Sequence, residues 1–261
     1  MLKQRVITAV IAVGILALVL FVVPPLYAEL VIALVVLAGA WEWSGFLGEV
    51  SLAMRILYVI FVASLMAMVG MIWPDGVDTV LQVAVAWWLL ALIWAFMFPT
   101  PIPGILRWLC GALVLVPLYA ALVLLYQATP SLLLFVLLIV WAADIGAYFA
   151  GKQFGRVKLA PSISPGKTWE GVLGGLVLVT LLALARSIWF ENDMAVIVPF
   201  CLAVACVSIV GDLTVSIFKR TAGLKDSGSL FPGHGGILDR VDSVAAAAPL
   251  FALGLGWTGL S

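Results

Sequence analysis

Residues 195–218 read AVIVPFCLAVACVSIVGDLTVSIF and residues 219–242 read KRTAGLKDSGSLFPGHGGILDRVD. The first stretch is mostly apolar with one charged residue, Asp212, and is long enough to cross a bilayer core as a helix, which takes roughly 20 apolar residues. In hydrocarbon only a segment that satisfies its own backbone groups is tolerated, so this run is a membrane-spanning helix. The second stretch holds Lys219, Arg220, Lys225, Asp226, Asp239, Arg240, Asp242 and the only histidine of the chain, His234. A chain that crosses the membrane and then concentrates its charge in one segment points to chemistry at that membrane edge.

The rest of the chain repeats the first half of this pattern. Of 261 residues, 65% are apolar and 10% charged, against roughly 25% charged in soluble domains, and the mean hydropathy is +1.26. Runs near 6–23, 27–47, 56–73, 79–98, 108–126, 131–150, 169–190, 195–218 and 241–259 are each long enough to span. Pro24-Pro25, Trp73-Pro74-Asp75-Gly76, Pro99 to Pro103 and Gln127 to Pro130 separate several of them, as helix-stopping residues should. The expected fold is therefore all-α, a polytopic integral membrane protein of about nine transmembrane helices. It is read as one membrane domain: spans one to five in 1–130, and spans six to nine in 131–261 with polar loops at 151–168 and 219–240. Lys3 and Arg5 ahead of the first run resemble the start of a signal peptide, with Leu26-Tyr27-Ala28 a weak cleavage site. The run is long enough to span and many others follow it, so it reads as an uncleaved first helix. Cys110, Cys201 and Cys206 lie in apolar runs without a CxxC pair, which points to packing and not to zinc or a disulfide framework. The thirteen basic and thirteen acidic residues cancel, and no nucleic-acid partner is expected.

The distribution of charge orients the spans, because basic residues are retained on the cytoplasmic side. With the N-terminus cytoplasmic, Lys3, Arg5, Arg55, Arg107, Lys152, Arg156, Lys158, Lys167, Lys219, Arg220, Lys225 and Arg240 all fall inside, and Arg186 is the exception. Asp75, Asp78, Glu191 and Asp193 fall outside. Retention of basic residues explains the lysines and arginines of the two polar loops, but it does not explain the acids. Asp144, Glu170, Asp212 and Asp242 lie within or at the inner ends of spans six to nine, where an unpaired carboxylate is costly. With Asp226 and Asp239 they could converge on one site in the inner leaflet.

Carboxylates facing lysines and arginines suit a metal-bound polyphosphate: oxygens hold Mg²⁺ and the cations hold phosphate. Asp239 and Asp242, three apart, share a helical face. Membrane-edge ion pairing is the plainer alternative. Ser164-Pro165-Gly166-Lys167-Thr168 ends like a nucleotide-binding loop, but Pro161 stands where that pattern needs glycine and a membrane helix follows. Lys167 and Thr168 still precede the cytoplasmic N-terminus of span seven, whose dipole attracts phosphate. Gly171 and Gly175 form a GxxxG, read as close helix packing with a dimer face as the alternative. His234 sits among Gly233, Gly235 and Gly236, where backbone N–H groups can approach an anion.

Ser216, Lys219-Arg220, Lys225-Asp226, Gly228, Pro232, His234-Gly235-Gly236, Asp239-Arg240 and Asp242 together resemble the signature of phosphatidate cytidylyltransferases, the CDP-diacylglycerol synthases. A second block, Asp144 to Gly171, looks family-like through Gly151-Lys152, Gly155-Arg156, Ser164 to Thr168 and Glu170-Gly171, while the first five spans carry no such signature. The resemblance implies an inner-membrane enzyme, active site facing the cytoplasm, that joins CTP to phosphatidic acid to give CDP-diacylglycerol and diphosphate in phospholipid biosynthesis. It implies Mg²⁺, with a second cation as an option, and suggests a homodimer. On this reading metal binding falls chiefly to Asp212 and Asp239, with Asp242, Asp144 and Asp226 as further ligands or support. Lys219, Arg220, Lys225, Asp226, His234 and Arg240 form the catalytic group. Lys152, Ser164, Lys167, Thr168, Ser216, Gly235 and Gly236 bind substrate. Two rivals remain. An ion-coupled transporter would relay protons through Asp144 and Asp212, although such groups normally sit near the midplane. A CDP-alcohol phosphotransferase would have its last aspartates four apart, not three.

Overall fold

The computed structural model describes residues 2–48, 50–228 and 235–258. Among them are nine α-helices: α1 (Leu2–Phe21), α2 (Pro25–Trp43), α3 (Leu52–Ala67), α4 (Val77–Met97), α5 (Gly104–Ala128), α6 (Pro130–Phe154), α7 (Trp169–Phe190), α8 (Met194–Thr221) and α9 (Leu238–Thr258). Eight of these, α2 to α9, are long and apolar enough to cross a membrane, and α1 carries a shorter apolar run, Val10–Phe21. The protein is an all-α polytopic membrane protein, and the nine expected spans match the nine helices within a few residues at most ends. Local chemistry sets the ends. Pro25 and Pro130 stand in the first turns of α2 and α6, where a missing N–H costs nothing. Ser51 and Asp193 cap α3 and α8 by accepting from Met54 N and Ala195 N.

Two helices, α5 and α9, sit in the middle: α9 packs on α2, α4, α5, α6 and α8, and α5 on α2, α3, α4, α6 and α9. The buried side of α9 is built from small residues, Ala245 to Ala248 among them, which lets neighbouring backbones come close, the main source of attraction between helices in lipid. Gly211 is where α8 approaches: a Cβ there would strike the Asp242 carbonyl and stand 2.9 Å from Ala246 Cβ. The GxxxG of α7 is used within the chain, since a Cβ on Gly171 would lie 3.0 Å from Ala147 O and one on Gly175 3.3 Å from the Ala143 carbonyl carbon, both on α6. Arg186, the exception to the charge rule, lays its guanidinium over the rings of Phe135 (4.7 Å) and Phe190 (4.2 Å). Of the cysteines, Cys110 and Cys201 are buried, Cys206 is exposed, and all three are free.

Both polar loops are shorter than expected, and the first is more ordered. α6 continues through Lys152 to Phe154, and the chain then forms an antiparallel hairpin of β1 (Lys158–Ala160) and β2 (Ser164–Thr168), pairing Lys158 with Thr168 and Ala160 with Ser164. α8 runs on to Thr221 and α9 begins at Leu238, so Lys219, Arg220, Asp239 and Arg240 are helical. Polarity marks where a helix leaves the membrane; a helix stops only where its hydrogen bonding does. At the end of α8 that happens near Ala222 and Gly223, the latter at φ +72°.

Candidate active site

Spacing along α8 builds the first part of the site. Asp212, Ser216 and Lys219 recur at intervals of four and three, so they share one face of the helix. Ser216 donates to Asp212 Oδ1 at 3.2 Å, and Lys167 of β2 pairs with Asp212 Oδ2 at 2.7 Å. Two turns further along α8, Lys219 Nζ bonds Asp239 Oδ1 at 2.8 Å and lies 3.8 Å from Asp242 Oδ2, both on the first turns of α9. Lys219 and Asp242 are buried, while Lys167 and Asp212 keep about a quarter of their side chains exposed, 26% and 28%. Asp144 of α6 lies within electrostatic reach of Asp212, Lys167 and Arg240. Three helices, α6, α8 and α9, and the hairpin thus bring Asp144, Asp212, Asp239 and Asp242 together with Lys167, Lys219 and Arg240.

The fit to a metal is of one particular kind. Among the described residues no three Asp, Glu, His or Cys side chains surround a common point as a protein-only cage would. Instead, like-charged carboxylates face each other, Asp212 acting on both Asp144 and Asp242, with lysines interposed. Hard oxygen donors in ones and twos, open on one side, suit Mg²⁺, which keeps waters and substrate oxygens in its shell.

Beside Asp144 and Lys167 a cleft of about 220 Å³ opens between α6, α7 and α8, walled by Ala147, Val172, Leu176 and Ile209. An apolar wall next to a charged pair is a surface for an amphiphile. Thr168 is buried and caps α7, its Oγ1 accepting from Gly171 N at 3.2 Å. Glu170 accepts from Val157 N at 3.1 Å and so ties the hairpin to α7. Arg220 donates to the carbonyls of Ile163 and Leu224, joining the end of α8 to the hairpin turn. Lys152 lies exposed over the ring of Tyr148 at 5.8 Å, and Ser164 opens β2. Lys225 and Asp226 are exposed on the bend after α8. Gly235, at φ +80°, and Gly236 precede α9, and Gly236 N donates to Asp239 Oδ2 at 3.0 Å. His234 lies outside the described residues.

Sequence reasoning passed over Glu42. This residue of α2 is only 9% exposed, and it accepts from Ser227 Oγ (2.7 Å), Ile237 N (2.9 Å) and Leu238 N (2.8 Å) at the start of α9. The signal was available: an acid inside an apolar run, in Trp41-Glu42-Trp43, obeys the rule that singled out Asp144 and Asp212.

Comparison with known proteins identifies the family. Residues 3–256 match the model of the cytidylyltransferase family. The chain is 43% identical to a phosphatidate cytidylyltransferase of Pseudomonas aeruginosa, over 97% of this chain and 96% of that protein. It is 37% identical to one of Haemophilus influenzae, over 97% of this chain and 98% of that protein. A third, from Brucella suis, is 45% identical over 46% of this chain and 45% of its own length. With a family model covering nearly the whole chain, including every residue of the lysine and aspartate cluster, the chain belongs to the cytidylyltransferase family.

Proposed function

We propose that this protein is a phosphatidate cytidylyltransferase, joining CTP to phosphatidic acid to give CDP-diacylglycerol and diphosphate. The observation that carries the reading is the cluster of Lys167, Lys219 and Arg240 with four aspartates beside an apolar cleft, in a chain akin to named phosphatidate cytidylyltransferases over almost its full length. A lipid phosphate oxygen attacks the α-phosphorus of CTP, a new P–O bond forms, and the bond to the bridging oxygen of the β-phosphate breaks, the electron pair leaving with diphosphate. The attacking oxygen is already anionic, so no general base is required. Alignment and neutralisation of charge carry the catalysis. Lys167 is assigned to the lipid phosphate at the cleft, and Lys219, Arg220 and Arg240 to the nucleotide phosphates. Asp212, Asp239 and Asp242, with Asp144, would hold Mg²⁺, which supplies positive charge to the phosphate oxygens.

The site is assigned to the cytoplasmic face of the inner membrane, where nucleotide and membrane lipid meet. Asp239 and Asp242, in the first turns of α9, also speak against a relay confined to the midplane. The test uses purified protein in lipid nanodiscs with CTP, phosphatidic acid and a Mg²⁺ titration. CTP-dependent diphosphate release with formation of the nucleotide lipid is expected, and transport of a solute without turnover would overturn the reading. Asp212→Asn and Asp239→Asn are expected to lose about 10²-fold or more in kcat. Near-normal turnover with unshifted Mg²⁺ dependence would remove those residues from the metal.

A further inference from the structure

The signature segment lies between α8 and α9, yet a side chain of α2 reaches into it. Glu42, near the C-terminal end of α2, bonds residues 185 to 196 positions away in sequence: Ser227, Ile237 and Leu238. These donors stand on both stems of the segment between α8 and α9. Ser227 is shared, its Oγ donating to Glu42 and its N donating to Asp239 Oδ2 at 2.8 Å. The remaining Oδ1 of Asp239 takes Lys219. Glu42, Ser227, Asp239 and Lys219 are therefore a continuous chain of bonds from α2 to the cluster.

Two glycines show how tightly the carboxylate is held. A Cβ at Gly228 would stand 2.5 Å from Glu42 Oε1, and one at Gly236 2.5 Å from its Cδ, closer than such atoms pack. The α2 end is fixed as well: Trp43 is fully buried, donates to Arg107 O at 2.9 Å, and packs on Phe218 of α8 with ring centroids 4.8 Å apart. Two of the bonds satisfy N–H groups at the N-terminus of α9, whose dipole also favours a negative charge there.

We propose that Glu42 is a positioning residue for the transfer reaction: it clamps both stems of the signature segment and sets the first turn of α9, and with it Asp239, Asp242 and Lys219. The catalytic part rests on the cytidylyltransferase reading; the clamp itself does not. Displacement of reacting groups by about 1 Å can cost on the order of 10²-fold in rate, so a carboxylate that contacts no substrate can still govern turnover.

The experiment compares wild type, Glu42→Gln and Gly236→Ala in nanodiscs, by hydrogen exchange and by steady-state kinetics counted per folded molecule. The glutamine keeps the size of the side chain but puts an NH₂ group against an N–H donor; the alanine leaves the carboxylate and pushes it off its seat. In both variants exchange over 236–242 is expected to quicken about tenfold while that of α5 is unchanged. kcat is expected to fall about tenfold or more with KM for CTP within about twofold. Adding Ser227→Ala to Glu42→Gln is expected to cost little more, because the two share one bond. Wild-type exchange and kcat in both variants would overturn the proposal, as would loss of activity only in proportion to loss of folded protein. If wild type makes no nucleotide lipid while exchange still quickens only over 236–242, the assigned reaction falls and the clamp stands.

Discussion

At the scale of single residues, the two lysines of the site have different duties, and burial separates them. Lys219 is 10% exposed in its side chain, and its partners Asp239 and Asp242 are 9% and 10% exposed. Removing one member of such a set leaves buried carboxylates uncompensated, at about 3–5 kcal/mol. Lys167 and Asp212 are roughly a quarter exposed, so their pair is screened and contributes about 0–1 kcal/mol. Lys219→Met is therefore expected to lower the thermal midpoint sharply along with activity. Lys167→Met is expected to leave the midpoint almost unchanged and to raise KM for phosphatidic acid. Thermal denaturation beside kinetics in the same nanodiscs checks both, and equal losses of stability in the two variants would refute the distinction.

At the scale of elements, the site depends on how closely α8 meets α9. Gly211 has no room for a methyl group against Asp242 O and Ala246 Cβ, and its neighbour Asp212 carries the carboxylate that must face α9. Gly211→Ala is expected to cost about 1–3 kcal/mol of stability through overpacking, and to lower kcat by more than that loss of folded protein explains, since it separates Asp212 from Asp242. Activity falling only in step with unfolding would show that the approach serves packing alone. This dependence also explains what could be read from the chain beforehand. Spans announce themselves through the length of their apolar runs, and Asp144, Glu170, Asp212 and Asp242 stand out because carboxylates are rare there. The hairpin does not: Lys158 to Thr168 has little β-forming character, and its strands are held by Trp169 N on Val157 O and by Glu170 on Val157 N, partners that only the fold brings near. Glu42 was legible as an intramembrane acid, but its partners lie across the whole bundle.

At the scale of the molecule, Lys167, Lys219, Asp239, Arg240 and Asp242 lie where α8 ends and α7 and α9 begin, Asp144 and Asp212 lie further inside α6 and α8, and Glu42 and Arg107 lie at that same end, because α2 ends and α5 begins there. One end of the bundle thus gathers the carboxylates, the hairpin and most of the basic residues, while Asp75, Asp78 and Glu191 mark the other. On the proposed reading the loaded end faces the cytoplasm, as a positive-inside bias favours. Single cysteines on a background with Cys110, Cys201 and Cys206 replaced by Ala test this directly. Lys225→Cys, on the exposed bend after α8, is expected to react with a membrane-impermeant maleimide in inside-out vesicles and to be protected in right-side-out ones. Asp75→Cys, exposed at the opposite end, is expected to show the reverse. Labelling of both positions from the same side would contradict the packing of α3 to α9 as alternating spans. Reversed labelling would keep the packing and invert the protein, and a cytoplasmic nucleotide could not then reach Lys219 and its aspartates.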